Sequence, residues 1–456
     1  MIIRPTLNEN AQINLAGIIL FLILSIIIIP LLLNAPLESY FIIVLALALL
    51  FLSFFKTNLA LSILIFSMLL SPELGLGNIP GRTVILRVED IFIIIIFIGW
   101  LAKVSLNKEF GLLRSTPLNK PILIYVTICV LSTLLGMLQG DRKVNESTFY
   151  LMKYIEYFLI FFMVVNNIKD LRQVKVFIFL ILLTCFLICV YAWKNIPSGV
   201  RLSAPFEGKE GEPNTLAGYL ILMMGLILGF LAYARPLTKR FFFFVFLGFA
   251  AIPFLFTLSR GGWLAFFCMF ITFIAVNKKF KLSLIFISIS IMLLLPHVMP
   301  QRIYDRISST FTPGKTYTVL GMDIPLEESA VARIESWKVG FELWLKKPIL
   351  GYGVPSGIVI DNQYTRVLNE TGIVGFIAFM WLLLRIFKMG LKTYHASESS
   401  EFASAVSLGF ITGFMGIVTM SLSAAAFIII RIMEPFWFLA GIVTILPLVT
   451  APEYNK

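Results

Sequence analysis

The chain reads as an all-α polytopic membrane protein with about 12–14 transmembrane helices and one large extracytoplasmic loop domain. Composition carries much of that reading. Of 456 residues 59% are hydrophobic and only 14% charged, where a soluble domain has roughly a quarter charged. Patterning carries the rest, because the apolar residues fall into runs near the ~20 residues that a spanning helix needs. The net charge of +12 sits mostly in short loops, as the positive-inside rule requires. It is not read as a nucleic-acid-binding surface.

In chain order the apolar runs lie at 13–33, 38–55, 57–71, 88–102, 121–139, 148–166, 174–193, 214–233, 241–257, 261–276 and 282–296. After a long polar segment come 366–384, 403–423 and 424–449. The short third run and the tight 421–425 junction leave the lower helix count open. The expected organisation is an N-terminal bundle over 1–296 (about 11 helices), an extracytoplasmic domain over 297–365 and C-terminal helices over 366–456. No small-residue cleavage pattern follows the first run, which is therefore read as an uncleaved span.

Basic residues orient the chain. With both termini cytoplasmic, the inside loops hold Lys103, Lys108, Arg114 and Lys120, then Lys169, Arg172 and Lys175, then Arg235, Lys239 and Arg240. Lys278, Lys279, Lys281, Arg385, Lys388 and Lys392 continue the series. The outside connections are of mixed charge. The loop 194–213, the turn at Ser259-Arg260 and the segment 297–365 then share one outer face.

Several chemistries find no support. Cys129, Cys185, Cys189 and Cys268 lie in apolar runs without paired spacing, and His297 and His395 are far apart, so no metal constellation is visible. Neither a P-loop nor a Rossmann glycine pattern occurs. The expectation is an enzyme without cofactor or metal, whose substrate arrives already activated.

Arg260, between two closely joined spans, is either functional or a snorkelling helix-end residue. Gly261 and Gly262 beside it permit close backbone approach. Arg201 lies in a loop that leads into a helix capped by Asn214 or Thr215. Together Arg201 and Arg260 suggest an anion clamp, since guanidinium matches phosphate oxygens. Asp361 is either a general base or a helix cap. Arg431 and Glu434, three residues apart, either neutralise one another or contact substrate. Arg87, Glu89 and Asp90 anchor a helix start. Trp337, Trp344 and Tyr352 are sugar-stacking candidates, although an interfacial aromatic belt predicts them equally.

Three blocks carry a resemblance: RLSAPFEGKEGEPNTLAGYL (Arg201 to Leu220), LSRGGWLAF (Leu258 to Phe266), and ARIESWKVGFELWLKKPILGYGVPS with DNQYTRVLNETGIVG (Ala332 to Gly375). The ILRVEDI stretch fits as well. In order and spacing these are similar to the O-antigen ligase and O-antigen/exopolysaccharide polymerase superfamily, over roughly residues 85–385. The resemblance implies a metal-independent membrane glycosyltransferase of the GT-C type, with an undecaprenyl-diphosphate-linked glycan as donor and a glycan acceptor. It implies that Arg201 and Arg260 hold the diphosphate, and that Asp361 stands where ligases of the family commonly carry His. Asn214, Arg333, Trp337, Asn362, Tyr364 and Glu370 become candidate substrate contacts. The expected role is polymerisation on the outer face of the cytoplasmic membrane. The alternatives are ligation to lipid A-core or protein, and, from another class, transport of the lipid-linked glycan. Expected partners are membrane lipid, a chain-length regulator and a flippase, with no nucleic acid.

Overall fold

The computed structural model describes residues 47–79, 82–106, 113–207, 211–277, 300–309, 315–319, 322–326 and 328–451. The apolar runs at 13–33 and 282–296, and the first half of that at 38–55, lie outside the described residues. After helical backbone at 47–55 come α1 (Thr57–Leu70), the strands β1 (Glu73–Ile79) and β2 (Arg82–Arg87), and α2 (Val88–Leu106). There follow α3 (Asn119–Leu138), α4 (Val144–Asn167), α5 (Leu171–Asn195), α6 (Pro213–Tyr233), α7 (Leu237–Phe256) and α8 (Arg260–Val276). The polar segment holds α9 (Gln301–Ser308), β3 (Lys315–Val319), β4 (Met322–Leu326) and α10 (Glu328–Lys346). The chain closes with α11 (Gln363–Ala396), α12 (Glu401–Met420) and α13 (Ile430–Val449).

Among the described residues, 8 helices, α3–α7 and α11–α13, are long and apolar enough to cross a membrane. The runs expected at 57–71 and 261–276 form the shorter helices α1 and α8. α2 has spanning length but carries Glu89 and Asp90 in its first turn and Lys103 in its last. The protein is a polytopic α-helical membrane protein. Strands occur only as two antiparallel hairpins among the described residues, β1–β2 and β3–β4, which the reading of an all-helical chain did not anticipate.

Small residues set the bundle centre. α6 carries Gly225 and Gly229, and α12 carries Gly409 and Gly413, each pair on one helix face at a spacing of four. A Cβ on Gly229 would lie 2.1 Å from the Ala405 carbonyl oxygen, and one on Gly409 would lie 2.6 Å from Leu226 Cα. Two helices can approach backbone to backbone only with glycine here. In a membrane such contact gives dispersion and packing that burial from water does not provide. α6, α12 and α13 are accordingly the helices most enclosed by protein, whereas α7 lies mostly outside.

α11 is two helices in line. Gly372 interrupts it at φ 63°, ψ −165°, and a Cβ there would meet the Ile349 carbonyl oxygen at 2.2 Å. The break lets residues 363–371 form a short leading helix before the span proper.

One end of the bundle gathers the polar connections. Lys347 pairs with Asp141, and Arg142 donates to the Ser356 carbonyl at 2.5 Å. Leu202 N–H donates to Phe256 O at 3.2 Å, and Gln363 N–H to Ser421 O at 2.9 Å. The other end is closed by the Tyr233–Tyr394 hydroxyl pair at 2.7 Å and the Arg235–Glu401 ion pair at 2.8 Å.

Candidate active site

The site is built around a turn. α7 ends at Thr257, Leu258 takes φ +50°, and Ser259 starts α8 by accepting from Gly262 N–H. Arg260 is the first residue of α8. The Ser259 hydroxyl also donates to Asn214 Oδ1 at 2.7 Å, which ties this turn to the start of α6. Neither Asn214 nor Thr215 caps α6, contrary to expectation. Glu212 does so by accepting from Asn214 N–H, because Pro213 at the first helical position moves the cap one residue earlier. Asn214 is a strut between the two blocks.

Arg201 is held against the same turn. Its Nε donates to Thr257 O at 3.2 Å and an Nη to Leu258 O at 3.3 Å. Both acceptors lie at the α7 C-terminus, where the helix dipole favours a cation. Partial burial, then Arg306, Arg333 and Arg260, hold the Arg201 guanidinium below its ordinary pKa, and Glu212 opposes them. Arg260 of α8, Arg306 of α9 and Arg333 of α10 thus lie within electrostatic range of Arg201 in the loop after α5. Arg306 was not foreseen, because α9 is a short polar helix without a recognisable motif. Its neighbour Arg302 also faces the loop, 3.0 Å from where a Cβ on Gly199 would lie.

Asp361 joins this group through Arg333, whose Nε stands 3.8 Å from Asp361 Oδ2. Both side chains are part-exposed, at 27% and 47%, so water and a ligand can reach the carboxylate. Asp361 is not the helix cap. Asn362 caps α11 by accepting from Tyr364 and Thr365 N–H, and its Nδ2 donates to Leu422 O at 3.0 Å. The turn 421–423 also backs the Arg260 block. A Cβ on Gly261 would fall 1.8 Å from Ser423 Oγ, so glycine is needed there for backbone approach. Two blocks far apart in sequence therefore meet across one short turn.

The remaining expected contacts divide. Trp337 lies one turn beyond Arg333 on α10, half-buried, and its buried Nε1 has no hydrogen-bond partner among the described residues. The Tyr364 hydroxyl is committed to Val418 O at 2.7 Å. Glu370 lies apart from the arginines and is buried. It accepts from Arg366 Nε at 2.8 Å, Tyr154 hydroxyl at 2.9 Å and Ser356 N–H at 3.0 Å. Together with Gly353 N–H to Glu370 O at 2.8 Å, these bonds dock the glycine-rich turn 348–357 on α11 and tie it to α4 through Tyr154. Trp344 donates to Pro348 O at 3.1 Å. The Tyr352 ring faces Lys347 and Arg142 at 5.0 and 5.7 Å.

Arg431 and Glu434 do not simply neutralise one another. Arg431 donates to the Pro205 and Ser71 carbonyls, while neither Glu434 oxygen has a hydrogen-bond partner among the described residues.

The fold and site define a class: a polytopic membrane protein with Arg260, Arg306 and Arg333 in electrostatic range of Arg201 and an accessible carboxylate, Asp361, beside Arg333. Residues 246–380 match the family model described as O-antigen ligase. That stretch holds two of the three blocks, and the match supports the resemblance to the O-antigen ligase/polymerase superfamily over those residues. The match takes in Arg260, Arg306, Arg333 and Asp361, and it supports membrane glycosyltransferase activity of this general type. No curated protein matches the chain.

Proposed function

We propose that the protein transfers a glycan from an undecaprenyl-diphosphate carrier to a hydroxyl of an acceptor sugar on the outer face of the cytoplasmic membrane, lengthening an O-antigen or exopolysaccharide. The observation that carries this reading is Arg201, fixed by two carbonyls beside Arg260 and within the field of Arg306 and Arg333. Such a group favours a diphosphate, and guanidinium forks match its oxygens.

In the proposed reaction the acceptor oxygen attacks the anomeric carbon of the donor sugar. The bond from that carbon to the diphosphate oxygen breaks, and its electron pair leaves with the carrier. The arginines stabilise that developing charge. The acceptor proton passes to Asp361, whose Oδ2 lies 3.8 Å from Arg333 Nε. Trp337, one turn from Arg333, offers an apolar face to a sugar. Ligation is the second reading, and the description of the matching family model favours it. Against it stands Asp361 in the position where, by resemblance, ligases commonly carry His.

The test is Arg260→Ala in purified protein with a synthetic lipid-diphosphate glycan. Removing a charged donor costs about 1.5–3 kcal/mol, so donor Kd should rise or turnover fall about ten- to a hundred-fold. Arg260→Lys should recover part of the loss. Full activity of Arg260→Ala at normal expression would overturn the diphosphate assignment. Sidedness is tested separately: a cysteine at Ser198 should label from outside intact cells and one at Thr238 should not.

A further inference from the structure

A second group of ionisable side chains lies inside the bundle, apart from the arginine site. Glu89 and Asp90 open α2, Lys153 and Glu156 lie on α4, and Glu434 lies near the start of α13, all of them buried. One carboxylate oxygen from each of Glu89, Asp90 and Glu434 lies within 4.8 Å of the other two. Part of their bonding capacity is met. Lys153 pairs with Asp90 Oδ2 and stands 3.4 Å from Glu156 Oε2. Ser71 donates to Glu89 Oε2, and Arg87 N–H donates to Asp90 Oδ2 at 2.8 Å.

Oxygens remain over. Glu89 Oε1 has only an ion pair with Arg87 Nε at 3.9 Å, and Asp90 Oδ1, Glu156 Oε1 and both oxygens of Glu434 have no hydrogen-bond partner among the described residues. Glu434 is 0% exposed, out of reach of bulk solvent. Buried ionised carboxylates in this condition are costly unless a positive charge or a proton joins them. Glu207 also lies within the field of Arg431 and Arg87. Among the described residues, Glu89, Asp90, Glu156, Glu207 and Glu434 share this region with Arg87, Lys153 and Arg431.

We propose that a divalent cation binds between Glu89, Asp90 and Glu434. The donors are all carboxylate oxygens, which select a hard ion such as Ca²⁺ or Mg²⁺ over a softer one. Its place in the fold gives it a bracing role. It joins the start of α2 to the start of α13, and Arg431 links that junction to Pro205 in the loop that carries Arg201. The ion holds the floor under the arginine site and takes no part in bond breaking. This inference is independent of which glycan, or whether any glycan, is transferred above.

The test uses the full-length protein in detergent, treated with chelator and titrated with CaCl₂ or MgCl₂ at constant ionic strength. Bound metal is read by equilibrium dialysis and stability by thermal unfolding. Wild type should bind a single ion per chain and melt at higher temperature with it. Glu434→Gln should lose both effects. Glu401→Gln, an exposed site at the opposite end beside Arg235, should keep both. Should Glu434→Gln fail to fold, Glu434→Asp decides: it keeps the charge with a shorter reach and should bind Ca²⁺ at least ten-fold more weakly. No bound ion in wild type, equal binding in the Glu434 variants, or stabilisation by acid alone without a bound ion would each overturn the proposal.

Discussion

Asp361→Asn separates chemistry from structure at the carboxylate beside Arg333. The two side chains stand 3.8 Å apart and both are part-exposed, and a pair of this kind contributes about 0–1 kcal/mol to stability. The cap of α11 belongs to Asn362, so the substitution leaves helix initiation untouched. Folding and membrane insertion should therefore be near normal. Donor binding should be unchanged or tighter, because Arg333 loses its counter-charge and adds to the positive field. Turnover should fall by roughly 10²–10⁴, the usual loss when a positioned base is removed. The assay compares donor affinity with polymer formation on one preparation. Wild-type rate and chain length in Asp361→Asn would refute the base assignment and move the search to Glu335 or Glu342.

Arg201→Lys should weaken donor binding about ten-fold or more, because a lysine cannot donate to Thr257 and Leu258 carbonyls together in the same fork; binding titrations measure it. Glu370→Gln should behave as a folding variant. It leaves Arg366 uncompensated at a buried pair where about 3–5 kcal/mol is typical, and detergent-extracted protein should melt early or fail to accumulate. Gly229→Val should cost about 1–3 kcal/mol through overpacking, seen as a lowered melting temperature, since its Cβ would fall 2.1 Å from Ala405 O.

Legibility followed sequence distance. Helical spans, polar blocks and the pairing of Arg201 with Arg260 could be read because each block is contiguous and hydropathy is periodic. The role of Asp361 could only be posed as two alternatives, since Asp and Asn cap equally well; the structure places the cap on Asn362. Glu212 was missed as the α6 cap because Asn214 and Thr215 are the more usual capping residues. Arg306 left no signal, being one arginine on a short polar helix. The group of Glu89, Asp90 and Glu434 was not legible either, because its members are separated by most of the chain and meet only when α2 and α13 both pack on α4. The glycine pairs of α6 and α12 were visible in the sequence, but which helix each would face was not.

The central claim is that this end of the bundle performs glycosyl transfer with departure of the lipid diphosphate. Wild-type protein in vesicles is given a synthetic undecaprenyl-diphosphate glycan, and free undecaprenyl diphosphate and glycan length are followed together. Carrier release in step with glycan lengthening, lost in Arg260→Ala, is the result expected. Movement of the intact lipid-linked glycan between leaflets, with no carrier released, would show a transporter instead.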